Sequence, residues 1–449
     1  MRPRHPRRLA LSPELVGFVL LGVFFVAIFI GFPVAFTLIC LSLAFGYFAL
    51  GDMVFYLTVL QTIGLMKEEV LAAVPLFVFM GYLLEEGGLM ERLFHAFRLL
   101  LGPVPGSLYV AVLLTATIFG IASGTVGATV AVVGIMAVPT MVRSGYDPRL
   151  SAGSITAGGT LGILIPPSVM LVVMGPVMGV SVADLYAASF GPGFMLAGIF
   201  IVWTVIRCLI NPRLGPPLPP AERAGSFRVL AVELTLGMLP HAILTVVTLG
   251  PILAGMATPT EAAAVGVVGT LIMTALYRTL SWARLKSAVI LSAQQSSMVF
   301  ILAVASNIFG AIFTRLGSAT VMTETLVGLP LPPMGTMLVV MLLIFLLGWP
   351  FEWQAIVLVF VPLLQPTIMA LHFDPLWFAT LIAVNLQTAF LSPPVAMSAY
   401  YLKAVAPDWK LTDIYWGMAQ FMVLQVIGLL LLIAFPGIAL WFPHWLYGP

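Results

Sequence analysis

The residues of this chain best suited to chemistry are hydroxyls, amides and glycines placed where helices must break. The first set is Ser123-Gly124-Thr125-Val126-Gly127-Ala128-Thr129, followed by Gly158-Gly159-Thr160-Leu161-Gly162-Ile163-Leu164-Ile165-Pro166-Pro167-Ser168. The second is Leu347-Gly348-Trp349-Pro350-Phe351-Glu352, followed by Asn385-Leu386-Gln387-Thr388-Ala389-Phe390-Leu391-Ser392-Pro393-Pro394. An interrupted helix exposes unpaired N–H groups on one fragment and unpaired C=O groups on the other. The N–H ends attract anions and the C=O ends attract a dehydrated cation. Buried in apolar surroundings, each such group costs several kcal/mol unless a partner is found. Ser123, Thr125, Thr129, Thr160, Ser168, Asn385, Gln387, Thr388 and Ser392 add polar atoms without fixed charge. Neither tip nor break holds a Lys or Arg. An anionic ligand would therefore be held by backbone dipoles, hydroxyls and co-bound cations. A hard cation such as sodium suits backbone carbonyls and hydroxyls. Any one Ser or Thr is more simply explained by a bond to the preceding turn of its own helix. Their grouping at mirrored breaks favours a ligand site for the group.

Charged positions near these segments have competing explanations. Thr258-Pro259-Thr260-Glu261 reads as a helix start, with Thr258 as cap, Pro259 at the first position and Glu261 closing a capping box. Structure therefore explains Glu261 without a coupling role. Glu352 sits at the second tip, where an acid at depth is expensive; it either approaches a cation or anchors the hairpin. Asp147 and Asp374, each before a proline, read as turn formers, and His241 beside Pro240 as a lone helical histidine. Enzyme readings lack parts. There is no HExxH, no GxSxG and no His-Asp constellation in the spans. Ser123 has no basic partner to activate it as a nucleophile. A channel stays open as an alternative, because re-entrant loops also build filters.

Positioning these residues falls to apolar helices. Of the 449 residues, 61% are hydrophobic and 8% charged, against about 25% charged in soluble domains. Mean hydropathy is +1.12. So little polar surface cannot cover a water-soluble globule, which makes the chain an all-α polytopic membrane protein. Cys40 and Cys208 offer neither a disulfide framework nor metal spacing, and a net charge of +2 gives no reason to expect nucleic-acid binding. Residues 1–13 form a basic arm, and the apolar run from Leu15 reads as a span rather than a signal peptide.

Expected spans in the first repeat, 14–210, are 14–31, 33–50, 70–86, 150–178 and 190–210. Residues 52–66 are placed at the interface, and residues 89–100 form an amphipathic helix along the membrane surface. Residues 107–140 are read as a re-entrant hairpin in preference to one tilted span, and 150–178 as a broken span. A Pro-rich linker covers 211–230. The second repeat, 231–440, holds spans at 231–250, 259–277, 287–311, a broken 376–402 and 415–440, with a hairpin at 335–366; 441–449 is a tail. A shift of 227 positions superposes Pro139 on Pro366, Asp147 on Asp374, Pro148 on Pro375, and Pro166-Pro167 on Pro393-Pro394. Five spans per half is an odd number, so the second repeat must be inverted. With residue 1 outside, thirteen of the nineteen basic residues fall inside. Arg315, Lys67 and the arm's Arg2, Arg4, Arg7 and Arg8 lie outside, and the arm dissents from the usual bias. Two inverted units, each with a hairpin and an interrupted span, describe a secondary-transporter core.

These motifs resemble the large membrane subunit of the tripartite ATP-independent periplasmic (TRAP) transporters, the DctM-like family. The signals are Ala157 through Ser168, the Pro-Thr-Glu-Ala-Ala-Ala run at 259–264, the Ser-Gly tip at 123–124 and Ser392-Pro393-Pro394. The resemblance implies an ion-transporter-type elevator fold in the bacterial inner membrane. It implies sodium-coupled uptake of an organic acid, without other cofactors. Its partners would be a small four-helix membrane subunit (DctQ-like) and a periplasmic substrate-binding protein (DctP-like). Mapped onto this sequence, substrate falls to Ser123, Thr125, Thr160, Asn385, Gln387 and Ser392. Sodium falls to Ser123, Gly124, Gly159, Thr160, Gly162, Gly348, Thr388 and Pro393, with Glu352 and Glu261 as coupling or structural acids. In this expectation the two hairpins and two broken spans move as one body, and a proton-coupled version keeps Glu352 as carrier. One departure is the bulky Trp349-Pro350-Phe351 ahead of Glu352, where the family pattern is Gly and an aliphatic pair; it bears on substrate class.

Overall fold

The computed structural model describes residues 12–219, 227–393 and 395–448. The basic arm up to residue 11, linker residues 220–226 and Pro394 of the second proline pair lie outside the described residues. Every regular element described is helical. Among the described residues, eight helices are long and apolar enough to cross a membrane, and a ninth arises if Glu69–Glu86 and Met90–Leu101, bent by 62°, count as one span. Six shorter apolar helices of 10–17 residues are also present among the described residues, including Val169–Met178 and Pro375–Leu391. This is the anatomy of a polytopic bundle with interrupted spans.

The chain folds into two compact units, each assembled from separate stretches of sequence. The first comprises the described part of Met1–Glu69 together with Ser297–Pro375. Its helices include Pro13–Ile30, Val34–Leu50, Met53–Met66 and Pro333–Leu347. The core is aromatic. Phe24 stacks on Phe351 at 5.7 Å and meets Phe309 at 6.0 Å, and Phe360 closes on Phe351 at 5.1 Å. Aromatic pairs in these geometries contribute about 0.5–1.5 kcal/mol each beyond area burial.

The second unit comprises Val70–Ser296 and Leu376–Pro449. It holds the first hairpin, Ser107–Ser123 and Val126–Arg143, and both interrupted helices. The amphipathic segment at 89–100 is the helix Leu89–Leu101. Its apolar residues Met90, Leu93, Phe94 and Phe97 are buried, and the helix packs on Phe227–Leu253 and Ser107–Ser123. The expected last span at 415–440 is two helices, Leu411–Ala434 and Gly437–Tyr447. Pro436 lacks the N–H needed to continue the first, and the chain turns there.

The helices Pro148–Thr160 and Leu411–Ala434 run side by side in this unit. Arg149 Nε donates to Asp413 Oδ1 at 2.8 Å near their starts. One turn on, a Cβ on Gly417 would lie 2.0 Å from the Arg149 carbonyl oxygen, and one on Gly153 would lie 2.6 Å from the Gly417 carbonyl oxygen. Only glycine at both positions lets the backbones approach this closely. That crossing fixes which residues meet two turns further on.

Candidate functional site

The first hairpin reverses in two residues. Gly124 takes a left-handed φ of 63° and returns its N–H to Gly120 O, and Thr125 is extended ahead of Val126–Arg143. Ser123 is the last residue of the first arm. The interrupted helix beside it starts on Asp147, whose Oδ1 accepts from Leu150 N at 2.8 Å. Asp147, expected as a turn former, thus also caps the helix that Pro148 begins. Helix Pro148–Thr160 tightens to a 3-10 turn at Leu161–Ile163, and helical structure resumes at Val169–Met178. The intervening backbone is held by Ser168, whose hydroxyl donates to Ile163 O, and by Tyr186 Oη, which donates to Ser168 O at 3.5 Å. Hairpin and break are in contact: a Cβ on Gly120 would lie 2.5 Å from Gly162 Cα. Gly159 faces Val130 on the second arm, and Gly124 faces Val169.

The second interrupted helix, Pro375–Leu391, ends in Ser392-Pro393 and resumes as Met397–Val405. Thr388 Oγ1 donates to Asn385 O at 2.6 Å, and Ser392 Oγ donates to Thr388 O at 2.7 Å. Ala396 enters the last fragment with φ of 39°, an unusual left-handed conformation for a residue with a Cβ. The fragment packs along the first hairpin, where Gly127 lies against the Tyr401 ring and Gly134 against Val405.

The two interrupted helices meet at one buried polar junction. Thr160 Oγ1 lies 3.2 Å from Gln387 Oε1 and 2.8 Å from Ala157 O. It also accepts from Gln425 Nε2 at 3.0 Å. Thr160 and Gln387 are 227 positions apart, the offset at which the two halves of the sequence superpose. All three side chains are fully buried. Gln387 Nε2 and Gln425 Oε1 have no hydrogen-bond partner. Two such amide atoms, buried at a junction of broken helices, are a standing demand for a polar ligand or ion. Gln425 was missed from sequence because it sits in a regular apolar span with no break beside it; the available signal was a Gln between Leu424 and Val426, deeper in the span than Gln420.

Other expected site residues lie elsewhere. Asn385 and Thr388 are buried on the second interrupted helix. Gly348 and Glu352 belong to the other unit. There the second tip takes five residues, 348–352, between Pro333–Leu347 and Trp353–Ala355. The departure at 349–351 has a structural use, since buried Phe351 is stacked on Phe24. Glu352 is exposed and makes no side-chain cap bond. Gln354, two residues on, is buried with an unpartnered Oε1, and sequence reading passed over it. Glu261 is exposed and completes the capping box: Thr258 N donates to its Oε2 at 2.8 Å, and Glu261 N donates to Thr258 Oγ1 at 3.2 Å. Among the described residues no group of three or more His, Cys, Asp or Glu side chains is placed to hold a metal.

Residues 21–438 match the model of the family described as tripartite ATP-independent periplasmic transporter, DctM component. The chain is 30% identical over 381 residues to the C4-dicarboxylate TRAP transporter large permease protein DctM of Pseudomonas aeruginosa, covering 85% of this chain and 87% of that one. It is 29% identical over 422 residues to the sialic acid TRAP transporter large permease protein SiaM of Vibrio cholerae, covering 94% and 97%. The ectoine TRAP transporter large permease protein TeaC of Halomonas elongata is 27% identical over 413 residues, covering 92% and 95%. In fold, the chain is similar to the crystal structure of the YdaH transporter of Alcanivorax borkumensis, with a TM-score of 0.65 at 15% identity over 95% of this chain and 98% of that one.

Proposed function

Because this chain belongs to the DctM component family of tripartite ATP-independent periplasmic transporters, we propose that it is a sodium-coupled symporter subunit importing an organic acid across the bacterial inner membrane. Its coarse role follows from the family: it is a membrane component for secondary transport of a small solute. The observation carrying the finer reading is the Thr160–Gln387–Gln425 junction. Interrupted helices offer carbonyl dipoles for a cation and N–H dipoles for a carboxylate, and the unpaired amide atoms of Gln387 and Gln425 supply neutral polar contacts beside them. With no Lys or Arg in either tip or break, co-bound sodium would offset the charge of the acid.

In this mechanism a periplasmic binding protein delivers the acid, and sodium occupies carbonyl and hydroxyl oxygens at the breaks. The loaded elements then move in an elevator-type alternation of access, with a small four-helix subunit completing the fixed part. An acid is favoured as substrate because the names of two relatives specify a C4-dicarboxylate and a sialic acid. Uptake into proteoliposomes containing the chain and its small partner tests the proposal, with a cognate binding protein and a panel of carboxylates. Accumulation should require an inward sodium gradient and be lost in Thr160→Val. Accumulation driven by a pH gradient alone and lost in Glu352→Gln would replace sodium by protons. Flux that only equilibrates would replace the symporter by a channel.

A further inference from the structure

The first unit contains a cavity that the proposed transport site does not use. Its volume is about 560 Å³, within the range of sites for small organic ligands. All of its lining residues fall within Met1–Glu69 and Ser297–Pro375. One wall is helix Met53–Met66, contributing Leu57 and Gln61. A second is the end of Trp282–Arg315, contributing Ser306, Asn307, Thr314 and Arg315. The third is a π-helical turn, Ile356–Phe360, with Leu358 and Val359 facing the space. Such turns are rare and concentrate at functional positions.

The one fixed charge in the lining is positive. Arg315 is the only charged lining residue. Among the described residues its guanidinium makes no hydrogen bond or ion pair. Gln61, Asn307 and Thr314 bring neutral donors to the same space. Ser306 Oγ is buried and has no hydrogen-bond partner. Opposite them the wall is aliphatic: Leu57, Leu358, Val359, Pro362 and Leu363. Arg315 closes a long apolar helix, and the charge distribution of the sequence places it with Lys67 on the outer side. A guanidinium beside an apolar slot at the end of a membrane helix suits a molecule with an acidic head and a greasy body.

We propose that this cavity binds an anionic amphiphile, its phosphate or carboxylate on Arg315 and its apolar body against Leu57, Leu358, Val359 and Leu363. The head could belong to a phospholipid or to a free fatty acid; the chemistry of recognition is the same. The site is separate from the proposed transport site: none of its residues lies at the junction of the interrupted helices, and its share of the hairpin expected at 335–366 is the second arm, away from the tip.

Gly310 supplies a clean test, because a Cβ added there meets nothing within 4 Å while the residue lines the cavity. Gly310→Met fills the space from a position with room for it. Native mass spectrometry on the purified full chain would follow titrations with phosphatidylglycerol, oleate and inorganic phosphate. Lys286 stands at the other end of helix Trp282–Arg315 and does not line the cavity, so the wild type and Lys286→Gln should each retain one tightly bound amphiphile. Arg315→Gln should weaken it about tenfold, the worth of one charge-assisted contact. Arg315→Lys should keep most of it, and Gly310→Met should abolish it, with all variants melting within a few degrees of wild type. Selective retention of phosphatidylglycerol identifies a lipid as the source, and selective retention of oleate a free acid. Equal binding by wild type and Arg315→Gln, or undiminished binding by Gly310→Met, overturns the proposal. So does inorganic phosphate binding as tightly as either amphiphile.

Discussion

The smallest unit of explanation here is a hydroxyl with three neighbours. Thr160 Oγ1 contacts Ala157 O, Gln387 Oε1 and Gln425 Nε2 in a volume closed to solvent. Removing that oxygen strips a partner from two buried amides, at a cost of about 1–3 kcal/mol. Thr160→Val should therefore lower the melting temperature of the purified protein, whereas Thr160→Ser should restore both stability and uptake. Gln425→Leu offers a different outcome. It removes the buried amide with its unpaired Oε1 while leaving the Thr160–Gln387 contact, so stability should change little. Sodium-dependent uptake should fall if Gln425 serves ligand or ion, and unchanged uptake would reduce it to packing. Thr160 and Gln387 were legible in the sequence because they sit in segments full of glycine and proline. Gln425 was not, because nothing local distinguishes it from any polar residue in a span.

At the scale of elements, glycine crossings and caps decide which side chains meet. Gly153 and Gly417 bring Pro148–Thr160 and Leu411–Ala434 close enough for Gln425 to reach Thr160 two turns later. Gly417→Ala places a methyl carbon 2.0 Å from the Arg149 carbonyl oxygen. The resulting shift should cost about 1–3 kcal/mol by overpacking, measurable in thermal unfolding, and uptake should fall with it. The cap at Thr258 makes a contrasting case. Thr258→Ala should destabilise by about 1 kcal/mol yet leave the sodium dependence of uptake unchanged, because the capping box accounts for Glu261. A shifted sodium dependence in Glu261→Gln would return that acid to the coupling machinery. The two hairpin tips also differ as elements. The first turns in two residues on a left-handed glycine, and the second needs five and buries Phe351 in an aromatic cluster. The bulky tip noticed in the sequence thus has a packing explanation within its own unit.

For the whole molecule, the helical architecture and family membership describe a machine for moving a small solute, and sodium coupling is the proposed energy source. The expectation most exposed to failure is the driving ion. At fixed pH, removing external sodium should abolish accumulation in proteoliposomes while binding-protein docking persists. Accumulation that continues without sodium would leave Glu352 as the acid to test next.

The amino-acid sequence alone determined that this is an all-helical membrane protein with paired interruptions, because composition and helix breakers act locally. Hydropathy over some twenty residues sets a span, and Pro or Gly stops a helix wherever it stands. The same local logic placed the first tip, both breaks and the capping box. Only the tertiary structure decided that Thr160, Gln387 and Gln425 converge, that the last span is interrupted at Pro436, and that Arg315 borders a cavity with an aliphatic wall. Those facts depend on which helix faces are apposed. In a chain with apolar residues on nearly every face, periodicity carries little information about facing, and small residues such as Gly153 and Gly417 settle it through contacts more than two hundred residues apart in sequence.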